Sequence, residues 1–123
     1  MHWTLVIIHT DAKMLKIEYC DPCFGTDLSK HNITCLNNLT EWIGDAYLDM
    51  RADVGMCSNF FEWNHIYRKD IPTQTNEYDC GMFICSYAET IAFDIIPSFS
   101  QDDMVYFRDK LALDIINYGS PND

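Results

Sequence analysis

The chain opens on blocks with strand-like patterning and then shifts to helical spacings. His2 to His9 is rich in β-branched and aromatic residues and predicts a buried strand. Asp11-Ala12-Lys13 supplies a polar turn. Met14 to Cys20 then alternates apolar and polar and predicts the hairpin partner. Asp21-Pro22 ends that strand, because proline has no N–H to give to a ladder. Leu36, Leu39, Ile43, Ala46, Tyr47 and Met50 recur at helical spacing, which predicts a helix over Leu36 to Arg51 with one buried face. Phe60 to Tyr67 reads as a third strand, and Ile71 to Asn76 as loop. Cys80 to Phe93 is long and apolar enough for a buried helix, with Gly81 allowing close backbone packing. Ser100 caps the last helix, with acids Asp102 and Asp103 in its first turn. That helix runs through Met104, Phe107, Leu111, Ile115 and Ile116 to a stop at Gly119. The order strand, strand, helix, strand, helix, helix predicts an α+β fold. No repeat or linker interrupts it, so residues 1–123 read as a single domain.

Composition narrows the function classes. The chain carries 8 Lys and Arg against 19 Asp and Glu, a formal net charge of −11. Nucleic acid and anionic membrane are therefore not expected partners, because both need clustered basic residues. No apolar run approaches the roughly 18 residues of a membrane span. Six cysteines occur, at 20, 23, 35, 57, 80 and 85. The start lacks the basic-then-apolar order of a secretory signal, so they are read as reduced thiols rather than a disulfide framework.

One constellation carries chemistry. Cys80 opens an apolar helix, where unpaired N–H groups and the helix dipole favour thiolate. Asp79 before it is expected to cap that helix. A cysteine nucleophile needs a base, and His2 begins the first strand. The base needs a carboxylate to fix its tautomer, and Asp21 ends the neighbouring strand. Paired strands put those outer ends side by side, so His2 and Asp21 are expected to meet. Gln74, six positions before Cys80, is placed to donate to an oxyanion. The set suits amide hydrolysis through an acyl-enzyme.

The motifs are more specific than the spacing. His2-Trp3-Thr4-Leu5-Val6-Ile7, Tyr19-Cys20-Asp21-Pro22 and Gln74-Thr75-Asn76-Glu77-Tyr78-Asp79-Cys80-Gly81 resemble three blocks of the SUMO-specific (sentrin/ubiquitin-like-protein-specific) cysteine proteases. The segment Met104 to Lys110 resembles that family's closing helix, so the likeness covers nearly the whole chain. It implies the adenain/ubiquitin-like-protease type of fold, a small mixed sheet packed against helices. It also implies Cys80 as nucleophile, His2 as base and acid, Asp21 as orienter and Gln74 as oxyanion donor. Trp3 resembles the tryptophan that covers the tunnel for a modifier's terminal Gly-Gly. The implied reaction is processing of a SUMO-like precursor or release of the modifier from conjugated proteins. The implied state is a monomer that needs no metal or cofactor, in the nucleus or cytoplasm with the nucleus favoured.

Two departures from the family pattern bear on this. Family domains carry a further half upstream of the His-Trp, whereas here one residue precedes it, so a truncated product or fragment is the expectation. An incomplete domain exposes apolar surface, and poor solubility is expected with it. The turn Cys20-Asp21-Pro22-Cys23-Phe24-Gly25 also differs from the family's small-residue version. The rival reading is a truncated or inactive relative that only binds a ubiquitin-like modifier. The pair Cys20 and Cys23 invites a zinc or redox reading. No second close pair supports zinc, and a redox pair should open a helix.

Overall fold

The computed structural model describes residues 2–9, 16–23, 30–51 and 64–118. In chain order these form β1 (Leu5–His9), β2 (Lys16–Cys20), α1 (Lys30–Arg51), β3 (Asn64–Tyr67), α2 (Cys80–Ala92), a 3-10 turn (Gln101–Asp103) and α3 (Met104–Tyr118). The three strands make one sheet in the order β1-β2-β3. The expected α+β order holds. Most differences lie at the boundaries. The first strand begins at Leu5, leaving His2 to Thr4 as an irregular lead-in. The first helix begins at Lys30, earlier than its apolar periodicity suggests. Its first turn is polar, so hydrophobic spacing could not mark it. The predicted turn at 11–13, the third strand's start at 60–63 and the stop at Gly119 lie outside the described residues.

The chain divides into two compact units that interleave in sequence. One comprises Met1–Ile7, Glu18–Phe24 and Tyr67–Asp123. Its core joins Cys20, Ile71, Met82, Phe83, Tyr87 and Met104, with Leu5, Ile7, Ile84, Ile91, Phe99 and Phe107 packed around them. Aromatic rings carry much of this packing. Phe99 sits 5.7 Å from Phe83, 5.6 Å from Tyr87 and 5.7 Å from Phe107, in tilted and edge-on arrangements that suit ring quadrupoles. Phe83 and Tyr87 are wholly buried, one helical turn apart on α2.

Glu18 is buried in β2 and meets the Arg68 guanidinium at 2.8 Å. Arg68 also forks onto Asp70, and its backbone N–H donates to the Tyr19 carbonyl. A buried carboxylate without such a partner would cost several kcal/mol, so Arg68 makes a charge on β2 tolerable.

The other unit comprises Ile8–Ile17 and Gly25–Ile66. In it α1 buries Leu36, Thr40 and Gly44, a row spaced four residues apart. Thr40 satisfies its hydroxyl by donating to the Leu36 carbonyl at 2.8 Å.

The last helix is buried only near its start, although its apolar spacing runs along its length. Met104 is buried and Phe107 joins the core, but Leu111, Ile115 and Ile116 are exposed. Periodicity marks which residues share a face. It does not say how far along the helix that face meets a partner. The start of α3 follows expectation: Ser100 and Asp103 form a reciprocal capping box ahead of it.

Candidate active site

All five candidate residues lie in the first unit. His2 comes from the lead-in to β1, and Asp21 directly follows β2. Their ends lie side by side as expected: His2 Nε2 and Asp21 Oδ1 are 2.7 Å apart. The same carboxylate oxygen accepts the Cys23 backbone N–H at 2.8 Å, an Asx-type turn that fixes its direction. With Nε2–H given to Asp21, the neutral imidazole presents its lone pair at Nδ1.

Cys80 is the first residue of α2 and is buried. Gly81 beside it faces Trp3, whose Cδ1 lies 3.7 Å from where a Cβ on that glycine would stand. The residue following His2 therefore packs on the residue following Cys80. This brings the start of the chain to the mouth of α2. Trp3 itself is 54% exposed, so it is a surface residue here and not part of the core.

One neighbour of Nδ1 was not anticipated. Cys23 Sγ stands 3.8 Å from it, a long sulfur hydrogen bond. Burial, then the Asp21 charge, then Cys80 push the Cys23 thiol above its ordinary range. A protonated Cys23 thiol can therefore donate to the imidazole. The only signal in the sequence was the unusual turn after Asp21.

Gln74 is held by its backbone N–H, which donates to the Pro22 carbonyl at 2.9 Å and ties its loop to the Asp21 turn. Its side-chain amide donates to the Asn76 carbonyl. Among the described residues one amide N–H is used this way, leaving the second for another acceptor, and the buried Oε1 has no partner. Tyr87 adds a further anchor, donating its hydroxyl to the Pro72 carbonyl.

Asp79 corrects an expectation. Its side chain makes no capping bond to α2. The carboxylate is buried and accepts from Arg108, from Asn76 at 2.6 Å and from Gln101 at 2.6 Å. Burial works against its charge, but these donors outweigh it and hold the carboxyl below the usual range. Asn76 Oδ1 in turn accepts the backbone N–H groups of Tyr78 and Asp79, and Gln101 Oε1 accepts that of Thr75. Asn76, Asp79, Gln101 and Arg108 thus form the frame on which Gln74 and Cys80 are mounted. Sequence reasoning missed this role. Arg108, one of few cations on the chain, was the available clue.

An apolar helix opened by a cysteine, in one compact unit with a histidine held by an aspartate, fits one class: an α+β thiol-protease architecture. Residues 1–120 match the Ulp1 protease family, C-terminal catalytic domain, and the chain belongs to that family. It is 32% identical over 117 residues to the ubiquitin-like-specific protease ESD4 of Arabidopsis thaliana. It is 35% identical over 120 residues to sentrin-specific protease 2 of Homo sapiens and 31% over 117 residues to a sentrin-specific protease of Caenorhabditis elegans. These alignments cover 94%, 95% and 95% of this chain but only 22%, 18% and 15% of the relatives. The chain thus spans about a fifth of the length of the proteins it resembles.

Proposed function

We propose that this chain is a thiol-protease catalytic unit that cleaves after the terminal Gly-Gly of a SUMO-like modifier. The observation that carries the reading is the His2–Asp21 hydrogen bond, formed across 19 positions where Trp3 meets the start of α2. Family membership and the names of the relatives supply the substrate class.

In this reading His2 Nδ1 takes the Cys80 proton as the sulfur attacks the glycine carbonyl. Asp21 holds the tautomer and stabilises the imidazolium that forms. Gln74 donates its remaining amide N–H, with the Cys80 backbone N–H, to the developing oxyanion. His2 returns the proton to the departing amine, leaving a thioester. The same nitrogen then activates water, which releases the carboxylate and regenerates the thiol. Trp3, exposed over Gly81, covers the slot for the two glycines. Only residues without side chains fit such a slot, which accounts for the Gly-Gly requirement.

The test is a reaction with a SUMO-like modifier bearing a carboxy-terminal electrophile. The folded chain is expected to form one adduct, at Cys80. Cys80→Ser is expected to form none while still binding the modifier. A folded wild-type chain that binds but never forms the adduct would make this a binding module instead.

A further inference from the structure

The contact between Cys23 and His2 has a geometry of its own. A tetrahedral zinc ion bound at about 2.05 Å to nitrogen and 2.3 Å to sulfur holds those ligands about 3.6 Å apart. His2 Nδ1 and Cys23 Sγ are 3.8 Å apart. The same rule would hold a nitrogen and an oxygen ligand about 3.3 Å apart. His2 Nε2 and Asp21 Oδ1, at 2.7 Å, are too close to share an ion and are hydrogen-bonded instead. That arrangement is the outer partner metal-bound histidines usually have: a carboxylate on one nitrogen, which leaves the other to the ion. The ligating atoms of His2, Asp21 and Cys23 all lie within 4.8 Å of one another.

We propose that His2 Nδ1 and Cys23 Sγ form a binding site for zinc or a similar borderline-soft divalent cation, with Asp21 orienting the histidine from behind. Binding releases the Cys23 thiol proton and leaves the remaining positions to water. The ion takes the lone pair with which His2 would accept a proton, so an occupied site switches the proposed hydrolysis off. Removing the ion restores it. The inhibitory consequence rests on the catalytic reading of His2, but the binding itself does not. Cys20, the other half of the close cysteine pair, is not a ligand: it is fully buried in the core.

The experiment titrates cobalt(II) chloride into the full chain, kept reduced, and follows thiolate-to-cobalt charge-transfer absorption. Zinc chloride then competes the signal away. Wild type is expected to give the band. Cys23→Ser and His2→Gln are each expected to weaken zinc binding by more than the ~10–100-fold that loss of an outer partner costs. Adduct formation at Cys80 is expected to be blocked by zinc in wild type. Cys23→Ser, compared with its own zinc-free rate, should need far more. A band that persists unchanged in Cys23→Ser, placing the ion on the exposed cysteines, would overturn the site, as would no band in wild type. These spectra decide the matter even for a chain that never labels at Cys80.

Discussion

Arg108, reaching back from α3, is paired with Asp79, the residue immediately before Cys80. The carboxylate is buried and the guanidinium is about half exposed. Arg108→Ala leaves Asp79 with only the neutral donors Asn76 and Gln101. A charged hydrogen bond contributes about 1.5–3 kcal/mol, and exposure of the guanidinium puts this one toward the lower end. Urea unfolding is expected to show a loss of that order at neutral pH.

The same pair sets a pH dependence. The folded carboxyl of Asp79 titrates below its unfolded value, so its contribution is present in full above about pH 4. It is lost as pH falls through the folded value. The stability gap between wild type and Arg108→Ala should therefore shrink in acid. A gap that stays constant down to pH 2 would show that Arg108 acts through packing alone.

Asp21→Asn tests the orienter. An asparagine can keep the geometry while offering the imidazole the wrong partner, and the comparable change in a serine triad lowers kcat about 10⁴-fold. On the proposed assignment kcat here should fall by ~10²–10⁴, with the melting temperature little changed. A variant within a few-fold of wild type would remove Asp21 from the triad.

Gln74→Ala separates an oxyanion donor from a loop residue. Removal of one such donor costs about 10²–10³ in kcat. The backbone bond from Gln74 to Pro22 survives the substitution, so the loop should hold its place. The expected result is a fall in kcat with KM nearly unchanged. Equal losses of stability and activity would point to a structural role instead.

How much was legible beforehand depended on the range of the interaction. The meeting of His2 and Asp21 follows from strand pairing, because two neighbouring strands leave their ends adjacent. The apolar helix from Cys80 announced itself by its composition. The Asp79 frame was invisible, because its partners Gln101 and Arg108 lie 22 and 29 positions away. No local rule pairs residues at that separation. Capping rules misplaced Asp79 for the same reason: a charged donor from another element outbid the local backbone N–H groups. Cys23 was hidden differently, since its contact with His2 depends on how the turn after β2 folds back onto Asp21.

The cysteines give a test that needs no substrate. Cys20 is fully buried at the end of β2, and burial pushes its thiol up to about 11. Arg68 pulls it down only partly, and Glu18 and Asp70 oppose that pull. Cys20 is thus protonated at neutral pH and shielded from reagents, and the thiolate is the reactive form. Cys35 and Cys85 are exposed. Limiting iodoacetamide at neutral pH, read by peptide mass mapping, should mark Cys35 and Cys85 early and Cys20 only after denaturant is added. Because Cys20 packs with Phe83, Tyr87 and Met104, its protection reports on the same core that carries α2. Labelling of Cys20 at the rate of Cys85 in the native chain would mean that this core opens freely, and with it the support beneath Cys80.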